Sequence, residues 1–137
     1  MHIGICGAGA FADHFIPLFR AHPLVSAVTL CDLDAEKLRA KAARFEVART
    51  CPSLDELCQS DVEAVALFTQ NWKHGPQAVQ ALRAGKHVYS AVPSAVSRDE
   101  VAALVRAVEE TGRVYMVGET SYYYPVAIYC RERFRQG

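Results

Sequence analysis

The sequence predicts a doubly wound α/β fold, in which helices cover both faces of a parallel sheet in a three-layer α/β/α arrangement. Short apolar runs alternate with longer amphipathic segments along the whole chain of 137 residues. The run 63–69 is apolar almost throughout, which is typical of a central parallel strand buried on both faces. Strand–helix alternation of this kind favours a parallel sheet with right-handed crossovers.

Six segments have the short, apolar character of strands. They are residues 2–6, 25–31, 46–49, 63–69, 87–90 and 113–118. The segment 46–49 is the weakest of these predictions, because it contains two charged residues and is only four residues long. The other five are apolar enough for a sheet that is covered by helices on both faces.

Six amphipathic segments alternate with these strands or follow them, and capping residues predict where several of the helices begin. The helices are predicted at residues 10–21, 34–45, 75–85, 97–112 and 125–134, with a short helix that begins at residue 53. Asp34 is a favourable N-cap for the second helix. Ser53 with Glu56, and Ser97 with Glu100, have the spacing of capping boxes for the third and fifth helices.

Two further expectations concern the longer helices. Proline favours the first turn of a helix and glycine the position after its end, so we expect Gly75-Pro76 to begin the fourth helix and Gly85 to end it. The fifth helix has an apolar face at helical spacing, and we expect this face to pack on the sheet. Its members are Val101, Leu104, Val105 and Val108.

Composition and charge exclude several classes of function. The chain has 51% hydrophobic and 22% charged residues, with 15 basic residues balancing 15 acidic ones. Because the charges balance, nucleic acid is not expected as a partner. No apolar run approaches the ~18–20 residues of a membrane span. Five cysteines without a CxxC pair or a zinc-type spacing favour a reducing, cytoplasmic location and predict no metal site.

The sharpest local signal is the motif G-x-G-x-x-A formed by Gly7, Gly9 and Ala12 between the first strand and the first helix. In a dinucleotide-binding Rossmann fold, the first glycine permits the tight turn and the second lets the backbone approach a pyrophosphate. The small third residue lets the helix pack close to the sheet, and the helix N-terminus offers free N–H groups to the phosphates.

An acidic residue stands where this motif requires one. Asp32 ends the second strand, twenty residues after Ala12, and a carboxylate at this place can accept hydrogen bonds from the ribose hydroxyls of adenosine. No arginine immediately follows Asp32 to receive a ribose phosphate. The pattern therefore favours NAD over NADP as the cofactor, while a plain turn beside Asp34 is the structural alternative for Asp32.

The sequence resembles the glucose–fructose oxidoreductase/inositol dehydrogenase (Gfo/Idh/MocA) family of NAD(P)-dependent oxidoreductases. Five segments distributed along the chain show the resemblance. They read GICGAGAFADHF from residue 4, CDLD from residue 31, TQNWKH from residue 69, AGKHV from residue 84 and GRVYMVG from residue 112.

The resemblance implies a domain organisation and a substrate class. Residues 1–120 would form the dinucleotide-binding domain, and residues 121–137 would begin the connection to a second, substrate-binding domain. Such proteins oxidise or reduce a sugar, a polyol or a related hydroxy compound, and they assemble into homo-oligomers through the second domain. By resemblance this chain would be the cofactor domain of such an enzyme and would be inactive by itself.

The resemblance also implies which residues hold the cofactor. Gly7, Gly9, Ala10 and Phe11 would contact the pyrophosphate, Asp32 and Leu33 the adenosine end, and Thr69, Gln70, Asn71 and His74 the nicotinamide half. Ligands of open α/β sheets do lie at the carboxyl ends of the strands, where these residues are predicted. For His74 a second reading stays open, since a histidine at the start of a helix is often a capping residue.

One departure from the family pattern leaves the catalytic residues unassigned. Where the family usually has Glu-Lys-Pro after the fifth strand, with a lysine that takes part in catalysis, this chain has Ala91-Val92-Pro93. Valine can neither donate a hydrogen bond nor polarise a hydroxyl group. Two alternatives therefore remain, a dinucleotide-binding sensor or regulatory protein without dehydrogenase activity, and an NAD-assisted glycoside hydrolase.

The segment after the sixth strand also departs from the family. Glu119 stands where a histidine is common, and Tyr122 where an arginine is common. Tyr122, Tyr123 and Tyr124 form either an aromatic wall for a sugar or an interdomain packing surface.

Overall fold

The protein, described by a computed structural model over residues 1–137, contains six parallel strands in one sheet. They are β1 (His2–Cys6), β2 (Ala27–Cys31), β3 (Arg49–Cys51), β4 (Ala64–Leu67), β5 (His87–Ser90) and β6 (Tyr115–Val117). Their order across the sheet is β3-β2-β1-β4-β5-β6, with every neighbouring pair parallel. The predicted doubly wound parallel sheet is confirmed.

Six α-helices and one short 3-10 helix connect and follow these strands. The α-helices are α1 (Ala12–Ala21), α2 (Ala35–Arg44), α3 (Leu54–Gln59), α4 (Asn71–Arg83), α5 (Arg98–Thr111) and α6 (Pro125–Gln136), and the 3-10 helix spans Thr120–Tyr123. Helices α1 and α2 pack on the face of the sheet that holds Ile3 and Ile5. Helices α3, α4 and α5 pack on the opposite face around Val65 and Leu67. None of the helices combines the length and the apolar character needed to cross a bilayer.

The predicted capping residues begin their helices as expected. The side chain of Asp34 accepts hydrogen bonds from the main-chain N–H groups of Glu36 and Lys37 at the start of α2. Ser53 and Ser97 each accept one from the residue three positions later, over 3.2 Å in both cases. Each of these bonds satisfies a helix N–H that has no partner within the helix.

The third strand lies further along the chain than the sequence predicted. We expected a strand at 46–49, whereas β3 spans Arg49–Cys51. Glu46, two residues after the end of α2, has a φ of 50°, and the N–H of Val47 bonds back to the carbonyl of Ala42 over 2.9 Å. This turn occupies the first residues of the predicted strand, so pairing with β2 begins later.

The fourth helix begins earlier than its proline predicted. Helix α4 starts at Asn71, and Gly75 and Pro76 lie inside it. A proline at this position removes only the hydrogen bond to the carbonyl of Trp72, close to the helix start, so the preceding turn can form. The expected glycine after the helix is present, since Gly85 has a φ of 80°.

The buried face of α5 differs in part from the predicted one. Leu104 and Ala107 are buried against the sheet and Val108 packs beside them, but Val101 and Val105 are about half exposed. The helix therefore packs on a narrower stripe than the four predicted apolar positions, and its remaining valines lie on an exposed flank.

Candidate functional site

The strand register brings the predicted glycine loop and its acid together. Cys6 of β1 pairs with Cys31 of β2 on one side and with Leu67 of β4 on the other. Gly7 and Asp32 therefore leave the sheet next to each other at its carboxyl edge. The strand order reverses between β1 and β4, which is where open α/β sheets bind ligands. A cavity of about 490 Å³ lies at this place.

The two glycines of the motif are needed for different reasons. Gly7 has a φ of 99°, and a Cβ added there would lie 2.5 Å from the carbonyl oxygen of Phe68, so only glycine fits. Gly9 borders the cavity, and a Cβ added there would meet no protein atom within 4 Å. Packing therefore requires Gly7, whereas at Gly9 the free space suits the close approach of a ligand to the backbone.

The start of α1 is suited to an anion. No side chain caps this helix at Phe11, in contrast to α2, which Asp34 caps. The N–H groups of Ala10, Phe11 and Ala12 donate no hydrogen bond, and the next two make only long main-chain bonds, from Asp13 to Ala10 over 3.2 Å and from His14 to Phe11 over 3.3 Å. These donors and the helix dipole favour a phosphate group, which supplies the acceptors that a capping side chain would otherwise provide.

Asp32 is held in place by two main-chain hydrogen bonds and one ion pair. Its Oδ2 accepts from the N–H of Ala8 over 2.7 Å and lies 3.1 Å from Nζ of Lys37, and its Oδ1 accepts from the N–H of Asp34 over 3.0 Å. The side chain is 13% exposed, and this burial by itself raises its pKa. The two N–H groups and the Lys37 ammonium outweigh the burial and keep the pKa of Asp32 below its ordinary value. The carboxylate is therefore charged at neutral pH.

Two lysines border the cavity, and they differ in their surroundings. Lys37, in the first turn of α2, pairs with Asp32. Lys73, in the first turn of α4, takes part in no ion pair or side-chain hydrogen bond. Neither lysine was predicted from the sequence as a site residue. The position of Lys37, three residues after the N-cap Asp34, could have indicated it, because side chains of a first helical turn lie close to the strand end before them.

The loop after β4 contributes two of the predicted residues to the cavity. Thr69 and Gln70 border it, and Oγ1 of Thr69 donates to Oε1 of Gln77 over 2.5 Å. Asn71 begins α4 with its side chain exposed and lies outside the cavity lining.

His74 is enclosed between two loops and does not border the cavity. Its side chain is almost fully buried, with Nδ1 2.8 Å from the carbonyl oxygen of Pro93 and Nε2 3.1 Å from that of Thr69. Both partners are carbonyl oxygens, which only accept, so a ring nitrogen that carries a proton donates to the oxygen that it faces. The ring thus joins the loop after β4 to the loop after β5. Direct contact of His74 with a cofactor stays a prediction.

The structure brings together six of the ten residues that the sequence predicted for the cofactor. The cavity is bordered by Gly7, Gly9, Asp32, Leu33, Thr69 and Gln70. Ala10 and Phe11 are exposed just before α1 and lie outside the cavity lining. Asn71 and the buried His74, both in α4, also lie outside it. An anion at this helix start would nevertheless lie next to Ala10 and Phe11.

The departures from the family pattern lie at the same edge of the sheet. Val92 follows β5 and is 43% exposed, with no polar atom in its side chain. Tyr122, Tyr123 and Tyr124 are each at least half exposed. A separate cavity of about 290 Å³ lies between Tyr89 and the first two of these tyrosines.

Comparisons with known proteins agree with this geometry. A family model described as an oxidoreductase family with an NAD-binding Rossmann fold matches residues 1–119. The chain is 33% identical over 138 aligned positions to 4-carboxy-2-hydroxymuconate-6-semialdehyde dehydrogenase of Sphingobium sp., covering 100% of this chain and 44% of that protein. It is 34% identical over 134 aligned positions to glycosyl hydrolase family 109 protein 1 of Bacteroides fragilis, covering 90% of this chain and 29% of that protein.

Solved structures show the same fold. The WlbA dehydrogenase from Bordetella pertussis, crystallised in complex with NADH and UDP-GlcNAcA, superposes with a TM-score of 0.91 at 26% identity. The match covers 99% of this chain and 42% of that one. The chain thus spans less than half the length of each of these three proteins.

Proposed function

The chain belongs to the Gfo/Idh/MocA family of oxidoreductases, and on that premise we propose that it is the cofactor domain of an NAD-dependent enzyme acting on a sugar, a polyol or a related hydroxy compound. The observation that supports this most is the hydrogen bond between the N–H of Ala8 and Asp32, over 2.7 Å. It fixes the ribose-binding acid to the phosphate-binding loop beside a cavity of about 490 Å³.

The proposed contacts to the dinucleotide follow the geometry of the cavity. The backbone at Gly7 and Gly9 and the start of α1 at Ala10 and Phe11 would hold the pyrophosphate, since free N–H groups and open space coincide there. The charged Asp32 would accept hydrogen bonds from the adenosine ribose. Leu33, which is 77% exposed beside it, would cover the adenine ring with its apolar side chain.

At the nicotinamide half we propose contacts from Thr69, Gln70 and Asn71, at and just after the end of β4. His74 would act there as a positioning residue, because its ring contacts the carbonyl oxygens of Thr69 and Pro93 and so keeps the two loops at a constant separation. When bound, the nicotinamide would accept or donate the hydride of the reaction. The task of this chain is then to bind and orient the cofactor.

In this proposal, the groups that bind the substrate and accept its proton are not among the residues described above. Val92 offers no donor or acceptor, so we propose that a second domain, connected through residues 121–137, holds the substrate and mediates homo-oligomer formation. The substrate class is supported by relatives that are named as a semialdehyde dehydrogenase and as a dehydrogenase in complex with UDP-GlcNAcA. We also propose a cytoplasmic location, since all five cysteines are free thiols.

A second candidate function rests on Val92 and on one of the relatives. Without a polar group at this position, the protein would bind the dinucleotide but lack dehydrogenase activity, as a sensor or regulatory protein. The similarity to a glycosyl hydrolase family 109 protein favours a further variant, in which NAD assists the hydrolysis of a glycoside.

The test separates cofactor binding from turnover. Calorimetric titration of the chain with NADH should show one binding site per molecule, and a Gly9→Val variant should bind NADH much more weakly while remaining folded. Incubation of the complete protein with NAD and a panel of polyols, sugars and hydroxy acids should produce NADH, which is measured by absorbance. Binding without NADH formation would favour the sensor, and hydrolysis of a nitrophenyl glycoside in the presence of NAD would favour the glycosidase. Absence of NADH binding to a folded chain would reject the proposed function.

A further inference from the structure

The carboxylate of Asp32 has little acceptor capacity left while Lys37 is paired with it. Each carboxylate oxygen can accept about two hydrogen bonds. Oδ2 already receives the N–H of Ala8, and the ammonium of Lys37 lies 3.1 Å from it in the space of its second acceptor position, while Oδ1 receives the N–H of Asp34. The adenosine ribose of NAD has two hydroxyl groups, which need two acceptor positions. Both can bind Asp32 only when Lys37 moves away from it.

Lys37 is able to make this movement. Its side chain is 43% exposed, whereas that of Asp32 is 13% exposed and anchored by two main-chain N–H groups. Asp32 is the only partner of the lysine ammonium, which lies on a flexible four-carbon stem at the border of the cavity. A cation in the first turn of a helix is also unfavourable with respect to the helix dipole, so α2 itself gives this lysine no support.

We infer that Lys37 determines the cofactor preference of this domain by moving between Asp32 and the 2′-position of the adenosine ribose. This inference rests on the proposed function as a dinucleotide-binding domain. When NAD binds, the ammonium moves away from Asp32, and the two ribose hydroxyls bind the carboxylate in its place. With NADP it contacts the 2′-phosphate and offsets the repulsion between that dianion and the Asp32 carboxylate. The domain then accepts both dinucleotides, and its preference for NAD is smaller than Asp32 alone would impose.

Lys73 provides a control within the same cavity. It borders the cavity from α4 and, unlike Lys37, has no carboxylate partner. Its helix follows β4, which is separated by β1 from β2, the strand just before Asp32. Any anion that Lys73 contacts would belong to the pyrophosphate, which NAD and NADP share. Removing its charge should therefore weaken the binding of both dinucleotides equally, whereas removing the charge of Lys37 should change the ratio of their dissociation constants.

The experiment compares the parent chain with Lys37→Met and Lys73→Met by calorimetric titration with NADH and with NADPH at constant ionic strength. For Lys37→Met we expect the affinity for NADPH to fall by about tenfold, the value of one charge-assisted hydrogen bond, and that for NADH to stay within about threefold. For Lys73→Met the ratio of the two dissociation constants should stay as in the parent. Lys37→Gln keeps a polar side chain of similar length, and it should behave like Lys37→Met. Circular dichroism verifies that each variant is folded.

The outcomes distinguish this inference from the proposed function. If the parent binds neither NADH nor NADPH, the proposed function fails and the inference fails with it. If the parent binds either, and both Lys37 variants leave the ratio of dissociation constants unchanged or weaken both dinucleotides equally, the role of Lys37 is rejected while the proposed function stands.

Discussion

The main-chain N–H of Ala8 donates a hydrogen bond to Oδ2 of Asp32 over 2.7 Å, and this bond joins the glycine loop after β1 to the end of β2. One carboxylate therefore has two tasks. It stabilises the conformation of the loop before any ligand binds, and it provides acceptor positions for a ribose. Substitutions of Asp32 should accordingly affect both stability and binding.

The first prediction concerns the free space at Gly9. The Cβ of a valine there would meet no protein atom within 4 Å, but the side chain would occupy space where the pyrophosphate approaches the backbone. We expect Gly9→Val to remain folded and to lose at least about tenfold in affinity for NADH, measured by calorimetry. Gly7→Val is the contrasting variant, since its Cβ would lie 2.5 Å from the carbonyl oxygen of Phe68 at a φ of 99°, and it should unfold or fold poorly. Unchanged NADH affinity in folded Gly9→Val would remove the pyrophosphate from this loop.

The second prediction concerns Asp32 and the choice of cofactor. A carboxylate facing a 2′-phosphate is a like-charge contact, so NADP should bind more weakly than NAD, by roughly 1–2 kcal/mol in Lys37→Met and by less in the parent, where Lys37 offsets the repulsion. Asp32→Ala should lose NAD affinity and most of this discrimination. It should also lower the free energy of unfolding by roughly 1–3 kcal/mol, because the N–H groups of Ala8 and Asp34 lose their acceptor. Titrations with both dinucleotides and urea unfolding measure the two effects, and a ratio of affinities that Asp32→Ala does not alter would contradict the assignment.

The sequence predicted where the residues of the candidate site lie in the fold wherever short-range chemistry determines their position. The spacing of Gly7, Gly9 and Asp32 implies that strand ends meet at one edge, and the register of β1 and β2 places them there. It predicted less well where tertiary packing decides. The start of β3 depends on a positive φ at Glu46, and the enclosure of His74 depends on a carbonyl group nineteen residues away at Pro93. Neither leaves a pattern in the neighbouring sequence.

The third prediction concerns stability in acid. The pKa of Asp13 is lowered, first by the hydrogen bond from Lys41 and then by the charges of Lys41 and Arg44. An unfolded aspartate has a pKa of about 3.9. The stability from this carboxylate is therefore present above that value and is lost as the pH falls through the lower pKa of the folded state. Urea midpoints should fall more steeply between about pH 4 and pH 2 in the parent than in Asp13→Asn. Asp99→Asn, which removes a carboxylate without an ion pair, should retain the slope of the parent.

The fourth prediction concerns His74 as a link between two loops. Replacement by alanine removes a buried ring and leaves the carbonyl groups of Thr69 and Pro93 without this partner. We expect His74→Ala to lower the free energy of unfolding by about 2–4 kcal/mol and to weaken NADH binding. His14→Ala, at an exposed position of α1, should change stability by less than about 0.5 kcal/mol. Full stability of His74→Ala in urea would show that the two loops are held by other contacts.

The fifth prediction concerns the apolar surface at the end of the chain, which consists of Tyr122, Tyr123, Tyr124, Val126 and Tyr129. Every one of these side chains is more than half exposed, and α6 buries none of its residues. An exposed apolar patch of this kind usually finds a partner. We therefore expect the 137-residue chain to self-associate as its concentration rises, seen as a growing mass in light scattering. The double variant Tyr123→Ser/Tyr129→Ser should scatter as a smaller species at every concentration, whereas Leu24→Ser, which removes an exposed apolar side chain elsewhere, should behave as the parent does.

The same samples should form no measurable NADH from NAD and a polyol, because Val92 offers no polar group. A chain that stays monomeric at millimolar concentration would mean that these tyrosines need no partner, and measurable turnover would mean that catalytic groups lie within these residues.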